Sequence, residues 1–321
     1  MGDRFERGVF TLSFDFELVW GSRDLVGDPA ELERMARVTR DRVFPGLLHL
    51  LSRHRIRATW ATVGHLFLGE AHREGGVLHP DVPPPRHAWR PEWFAGVPEG
   101  TEADRPEWYG RSLVKRLVEA GHDVGSHSFS HPIFDDAGLD EAAADADLAR
   151  CVGVAAELGV TLRSFVFPRN RVGHVHLLRK HGFTSWRGVE PAWYRGRGLP
   201  VAAERLAHLG DVVRAACPTT VLPYRDVHGL VCVPASATVL PVDGVRRLIP
   251  MSRRVRRALR GLDRAAADGR VFHLYTHPIN LASAPEASLA AWDTVLGHAA
   301  RLRDQGRIEV LAMDTLAGRV P

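Results

Sequence analysis

Cysteine, lysine and long apolar runs are scarce in this sequence of 321 residues, and each scarcity narrows what the chain can be. The three cysteines, Cys151, Cys217 and Cys232, are odd in number and form no CxxC pair, which argues against a disulfide framework or a zinc knuckle. No stretch approaches the roughly 18 to 20 uninterrupted apolar residues of a membrane-spanning helix. We therefore expect no transmembrane segment.

Charge is balanced and is carried almost entirely by arginine on the basic side. Lys115 and Lys180 are the only lysines among 42 basic residues, and the formal net charge is only +4. This bias favours a coding preference over a nucleic-acid-binding surface, although the planar fork of arginine still suits a phosphate or carboxylate on a substrate. Asp15 and Glu17 break the N-terminal apolar run that a secretory signal needs, so we expect a cytoplasmic protein with no nucleic-acid partner.

The order of predicted elements favours one α/β domain over residues 1–321. A strand at 9–18 is followed by a helix at 31–54 that Pro45 interrupts, and a second strand at 56–64. Strands and helices then alternate to the C-terminus, where RIEVLAMDTL reads as a last strand. Two long regions, about 66–107 and 187–268, resist this pattern, and we interpret both as insertions. The first is expected to be a lid or a wall of the site, and the second contains VHGLVCVPASATVLP, which is compatible with a strand or a hairpin.

The segment GSHSFSHP places His127 and His131 four positions apart. On a helical turn both rings would lie on one face and could share a metal ion. With 17 histidines in the chain, a close pair can also arise by chance and serve only packing. A third ligand would decide between these interpretations.

Two acidic side chains are candidates for the third metal ligand. Asp15 and Glu17 lie two positions apart in the first predicted strand, so their side chains share one face, and His277 follows a late strand. Such paired acids also occur on solvated strand faces. One carboxylate with His127 and His131 would complete a three-ligand metal site, and the other carboxylate and His277 would remain for proton transfer, as in a metal hydrolase.

Together these motifs resemble the polysaccharide deacetylase family, the NodB-homology or carbohydrate esterase family 4 enzymes. The opening acidic motif corresponds to residues 13–17, the H-[ST]-x-x-H motif to 127–131, the late leucine-x-x-histidine to 274–277 and the second-strand motif to 58–61. The resemblance implies an incomplete (β/α)7-type barrel, a distorted TIM barrel, as a single domain with two insertions.

The first motif departs from the usual pair of adjacent aspartates, since Asp-x-Glu stands here. The resemblance therefore implies that Glu17, His127 and His131 bind a divalent metal ion, with zinc favoured and cobalt, nickel or manganese as alternatives. It also implies that Asp15 is the general base and that His277 protonates the leaving amine. Ser128 is expected to hold the loop through a hydroxyl-to-backbone hydrogen bond and not to act as a nucleophile.

Two later motifs also differ. The arginine that usually orients the catalytic aspartate is absent from Val166-Phe167-Pro168-Arg169-Asn170, so Arg169 is the candidate substitute, with a surface arginine as the alternative. Trp186 either lines the pocket or packs in the core. Trp89 and Trp93 of the first insertion are candidate substrate-binding residues, and the alternative is a packed loop that only shields the barrel.

The predicted function is metal-dependent hydrolysis of the N-acetyl group of an amino sugar, with a cytoplasmic saccharide or a nucleotide-linked or lipid-linked sugar as substrate. The alternatives are hydrolysis of another small linear or cyclic amide, and an inactive sugar-binding barrel.

Overall fold

The computed structural model describes residues 4–25, 27–194 and 198–320, so residues 195–197 of the second predicted insertion lie outside the described part of the chain. The strands are β1 (Gly8–Phe16), β2 (Thr59–Thr62), β3 (Glu70–Ala71), β4 (Arg73–Glu74), β5 (Val77–Leu78), β6 (Gly100–Thr101), β7 (Asp123–Ser126), β8 (Ser164–Phe165), β9 (Ser185–Gly188), β10 (Tyr224–Arg225), β11 (Val231–Pro234), β12 (Ala237–Thr238), β13 (Val271–Thr276) and β14 (Ile308–Val310). The α-helices are α1 (Pro29–Val38), α2 (Phe44–Arg53), α3 (Arg111–Glu119), α4 (Glu141–Ala156), α5 (Val175–Lys180), α6 (Val201–Val213), α7 (Met251–Asp268), α8 (Pro285–Asp304) and α9 (Met313–Ala317).

Ten strands form one curled sheet that confirms the predicted incomplete barrel. Its order is β10-β11-β9-β8-β7-β2-β1-β13-β12, and β14 pairs with the first half of β1. Every pairing in this sheet is parallel except that of β10 with β11. Because the strands are parallel, their carboxyl ends meet at one rim, where active sites of barrel folds collect.

The alternation of β1 shows how the sequence divides the two faces of the sheet. Phe10, Leu12, Phe14 and Phe16 pack in the large core cluster that includes buried residues of the surrounding helices. Val9 belongs instead to the apolar cluster that also includes residues of α9. Since successive strand side chains point to opposite faces, the odd-numbered residues of β1 line the barrel interior, and the last of them is Asp15.

Three local predictions need correction. Pro45 does not interrupt the helix of residues 31–54, because a π-helical turn at Thr39–Val43 joins α1 to α2 and Phe44 N–H donates to the Thr39 carbonyl. The wider turn accommodates a proline, which has no N–H for an ordinary helical bond.

The chain also does not end in one strand, since only Ile308–Val310 is extended and Met313–Ala317 is helical. The second irregular region contains two helices, α6 and α7, and the arginine-rich sequence of α7 obscured its apolar periodicity. Within the described ranges, no helix is both long and apolar enough to cross a bilayer.

Candidate functional site

The titratable residues singled out in the sequence meet at the carboxyl rim of the sheet. Asp15 lies near the end of β1 and Glu17 directly after it. His127 and His131 follow β7, and His277 follows β13. Strands β1, β2 and β7 are consecutive neighbours on one side, and β13 borders β1 on the other, so the four segments converge.

Glu17, His127 and His131 form a buried cluster. Oε1 of Glu17 lies 2.9 Å from Nε2 of His127 and 3.3 Å from Nε2 of His131. Nδ1 of His127 lies 2.7 Å from the carbonyl oxygen of Val166, which can only accept, so we assign the ring proton to Nδ1. The lone pair on Nε2 of His127 then faces a carboxylate oxygen, an arrangement that a cation between the two atoms stabilises.

The donor atoms of this cluster fit one divalent ion. All three lie within 4.8 Å of one another. Donors bound at about 2.0–2.1 Å to a tetrahedral zinc ion are about 3.3 Å apart, close to the two separations in the cluster. Nε2 of His131 is buried and makes no hydrogen bond within the described structure, as expected for a ligand atom whose partner is an ion.

The segment that carries the two histidines is a loop, which corrects the expectation of a helical turn. Ser128 and His131 both have positive φ, near 62°, a region that residues with a side chain seldom adopt. As predicted, the Ser128 hydroxyl holds the loop, since it accepts a hydrogen bond of 3.0 Å from the His131 backbone N–H. These backbone angles, and not helical periodicity, bring the two rings within 4.9 Å.

A buried acid that the sequence analysis missed supports the same loop. Asp147 of α4 accepts hydrogen bonds from the backbone N–H groups of Phe129 and Ser130, at 2.7 and 2.9 Å, and from the Ser130 hydroxyl at 2.7 Å. Burial raises the pKa of Asp147 to about 6. The available signal was its position between Ala144, Leu148 and Cys151 on the apolar face of the helix.

Arg187 of β9 binds Asp15 through both of its terminal nitrogens. Nη1 lies 2.5 Å from Oδ1 and Nη2 lies 2.7 Å from Oδ2, and both side chains are buried. Burial by itself would raise the pKa of Asp15, but Arg187 and His277 bring it below its ordinary value. Asp15 is therefore ionised at neutral pH, and its carboxylate is fixed in one orientation.

This contact corrects the expectation for Arg169. Arg169 follows β8 and forms an ion pair with Asp24, while its guanidinium carbon lies 5.3 Å from the centre of the Trp89 ring. The partner of Asp15 comes instead from the next strand of the sheet, at Arg187. Arg187 lies inside the segment Ser-Trp-Arg-Gly, where only Trp186 was a candidate site residue from the sequence.

Further contacts fix the guanidinium of Arg187. Nη1 also donates to the Ser13 hydroxyl at 3.2 Å, and Nη2 donates to the side-chain oxygen of Asn170 at 3.0 Å. The Ser13 hydroxyl lies 2.9 Å from Nε2 of His273, and the guanidinium lies 4.0 Å above the ring of Tyr275. Arg187 is thus held on several sides and has little freedom to leave Asp15.

His277 lies on the solvent side of the two carboxylates. Its Nε2 is 3.5 Å from Oδ2 of Asp15 and 3.5 Å from Oε1 of Glu17. The imidazole is 30% exposed, whereas both acids are at most 3% exposed, so His277 can reach a bound substrate. Burial would raise the pKa of Glu17, but His277 and the contacts with His127 and His131 bring it well below its ordinary value.

Gly21 is a second residue that the sequence analysis missed. A Cβ added to Gly21 would lie 1.6 Å from Oε2 of Glu17 and 2.2 Å from its Cδ. The Glu17 carboxylate therefore occupies the space that any other residue at position 21 would fill. No one-dimensional signal distinguishes this glycine from the other 29.

The three candidate substrate-binding tryptophans lie in different environments. Trp89 is 46% exposed and stacks on His87, and the guanidinium carbon of Arg169 lies 5.3 Å from the centre of its ring. Trp93 is buried, and its indole nitrogen donates a hydrogen bond of 3.0 Å to the Ser130 carbonyl oxygen. It therefore stabilises the loop that carries His127 and His131.

Trp186 does not reach the cluster, and its placement corrects the suggestion that it lines the pocket. It precedes Arg187 in β9, so its side chain points to the opposite face of the sheet. There its indole nitrogen donates to Asp226 at 2.8 Å and its ring contacts Phe167.

Comparisons with known proteins agree with this architecture. A structure from Mycobacterium smegmatis, provisionally described as a polysaccharide deacetylase, is similar at a TM-score of 0.61 and 15% identity, covering 100% of this chain and 92% of that chain. Puue allantoinase is similar at a TM-score of 0.61 and 13% sequence identity. The match covers 96% of this chain and 89% of that chain. A structure from Pseudomonas aeruginosa PAO1, provisionally assigned as a polysaccharide deacetylase, is similar at a TM-score of 0.61 and 12% sequence identity. The match covers 96% of this chain and 90% of that chain. At these identities the similarity shows the fold alone.

The sequence comparison is more restricted. No curated protein sequence matches the chain significantly. A family model described as polysaccharide deacetylase matches residues 35–186, a range that includes both histidines but ends before Arg187. The resemblance drawn from the motifs is thereby confirmed over residues 35–186, which are slightly less than half of the chain.

Proposed function

We propose that this protein is a metal-dependent hydrolase that removes the N-acetyl group from an amino sugar. The observation that carries the proposal is the buried Glu17, His127 and His131 cluster, which lies beside an Asp15 held by Arg187. Three ligands with room for water and substrate are typical of hydrolytic metal sites, and zinc is the favoured ion. When bound, such an ion supplies Lewis-acid activation of water and of the amide carbonyl.

Asp15 is suited to accept the proton of the attacking water. Its carboxylate is ionised, and Arg187 holds both of its oxygens so that they cannot rotate. Arg187 consequently acts as a positioning residue, because its side chain is buried and acts through Asp15. General-base catalysis by a group held in this way contributes roughly 100- to 10,000-fold to the rate.

His277 is suited to protonate the departing amine. A proton on its Nε2 faces carboxylate oxygens of Asp15 and Glu17 at 3.5 Å, and the ring remains accessible from solvent. Cleavage of the C–N bond requires such a proton, since an amide anion is a poor leaving group. The exposed part of the Trp89 side chain supplies an apolar surface for a sugar ring.

The test is acetyl loss, measured by mass spectrometry, from a panel of N-acetylated amino sugars, free and nucleotide-linked, incubated with the zinc-loaded protein. We expect loss from at least one saccharide with the natural sequence and none with Asp15→Asn. Hydrolysis of a cyclic amide such as allantoin, without acetyl release, would support the alternative amide hydrolase. Saccharide binding without any hydrolysis would support a sugar-binding barrel.

The proposal also includes the organisation of the chain and its location. We propose that residues 1–321 form one NodB-like domain and that the substrate is a cytoplasmic saccharide.

A further inference from the structure

An open groove of about 1020 Å³ lies at the carboxyl rim of the sheet. Arg169 and Arg171 line it from the segment after β8, Thr238 and Leu240 from β12 and the segment after it, and residues of α6 from a third side. Arg169 directly precedes Asn170, whose side chain contacts Arg187. The groove therefore lies on the carboxyl side of the sheet, beside the segment that contacts Arg187.

Positive charge dominates the side chains that line this groove. They include four guanidinium groups and two carboxylates, namely those of Arg169, Arg171, Arg205, Arg246, Glu204 and Asp243. Among the described residues, Arg205 has no carboxylate within ion-pair distance, and it is exposed. An exposed guanidinium without an acid partner is a ready donor for a ligand oxyanion.

The other arginines are anchored by acids and keep free donors. Arg171 contacts Asp135 through Nε, and its side chain is 58% exposed. Arg246 contacts Asp243 through Nε and Nη2. A guanidinium group that an acid already holds at one edge can bind an oxyanion at its other edge. Less side-chain entropy is then lost on binding, because the group is already oriented.

The groove lacks the aromatic platform that a neutral sugar chain would use. Among its described lining residues the only phenylalanine, tyrosine or tryptophan is Tyr194, which is 2% exposed and offers no open ring face. Recognition there must therefore be mainly ionic and hydrogen-bonded. A phosphate or diphosphate matches the arginine forks.

We propose that the substrate carries a phosphate or diphosphate that binds in this groove through Arg205 and Arg171, while its N-acetyl group lies against Asp15 and His277. This inference rests on the proposed deacetylase function and narrows its substrate class. Sugar phosphates and nucleotide-linked sugars share the required chemistry.

Titration calorimetry on zinc-loaded Asp15→Asn protein, which does not turn over, tests the inference. The probes are N-acetylglucosamine, its 1-phosphate, and UDP-N-acetylglucosamine. We expect both phosphorylated sugars to bind at least about tenfold more tightly than the neutral sugar, with the difference shrinking at high salt. A preference for only the nucleotide-linked probe would identify a diphosphate, and a preference for both would identify a single phosphate as sufficient.

Variants of exposed arginines localise the effect. Arg205→Gln and Arg171→Gln should each weaken the phosphorylated probes by about tenfold and leave the neutral sugar unchanged. Arg253→Gln, at an exposed residue of α7 outside the groove, is the matched control. Equal affinity for neutral and phosphorylated probes, or an equal effect of the control, would overturn the inference. Zinc stoichiometry, measured on the same preparations, reports separately on the proposed metal site.

Discussion

Arg187 binds both oxygens of Asp15 in a part of the barrel from which solvent is excluded. The pair joins β9 to β1, which are not neighbours in the sheet, so it spans the interior of the curled sheet. A buried carboxylate of this kind needs a cation, and the cation here comes from a strand position that the family motifs do not predict.

Replacement of Arg187 by an uncharged residue should destabilise the folded protein. We predict that Arg187→Met lowers the free energy of unfolding by about 3–5 kcal/mol, because it leaves Asp15 charged and buried. Arg171→Met is the matched control, since the Arg171 side chain is 58% exposed and its partner Asp135 is 32% exposed, so its loss should cost only about 1 kcal/mol. Urea unfolding measures both values. Equal losses in the two variants would contradict the assignment of Arg187 as the partner.

Gly21 should control the metal site through Glu17. We predict that Gly21→Ala weakens zinc binding by about 10- to 100-fold, since the new methyl group would displace the carboxylate from His127 and His131. Gly27→Ala is the control, because no atom lies within 4 Å of a Cβ at that position. Adding Glu17→Asp to Gly21→Ala should recover part of the affinity, because the shorter side chain withdraws from the methyl group. Unchanged affinity in Gly21→Ala would refute the steric account.

Trp89 and Trp93 should differ in which property they affect. We predict that Trp89→Ala raises KM severalfold with little change in stability, because the ring is 46% exposed. Trp93→Ala should instead lower the free energy of unfolding by about 3–5 kcal/mol, since it removes a buried ring beneath the histidine loop. Trp193, which is 60% exposed and contacts Asp211, offers a surface control. Kinetics and urea unfolding of the three alanine variants distinguish a role in substrate binding from a role in stability. An unchanged KM in Trp89→Ala would show that Trp89 is not part of the binding surface.

Buried histidines should make the fold sensitive to acid. Burial, reinforced by Arg150, lowers the pKa of His79 to about 4, below the ordinary value of about 6.5. The unfolded chain therefore binds more protons than the folded chain between those values. Stability is complete above about pH 6.5 and falls as the pH decreases toward 4.

His79→Gln isolates this contribution. Between pH 7 and pH 5, the free energy of unfolding measured with urea should fall by about 1–2 kcal/mol less in the variant than in the natural sequence. An identical decrease in both proteins would show that His79 does not titrate as its burial requires.

The sequence predicted the elements whose periodicity is simple. The parallel sheet and the positions of Asp15, His127 and His277 at one rim follow from alternating strands and helices, because parallel strands place their carboxyl ends together. The partner of Asp15 could not be predicted, since the choice between Arg169 and Arg187 depends on which strand side chains face inward. Likewise, the space that Gly21 leaves for Glu17 is a property of tertiary packing and has no periodic signal.

The central claim is that Glu17, His127 and His131 hold one divalent ion while Asp15 remains free for proton transfer. Metal stoichiometry after zinc loading and dialysis, measured by mass spectrometry of the dissolved metal, tests it most directly. We predict one zinc per chain in the natural sequence and in Asp15→Asn, and none in Glu17→Gln or His131→Ala. Zinc retained in Glu17→Gln but lost in Asp15→Asn would reverse the roles of the two acids, and full occupancy in His131→Ala would contradict the site itself.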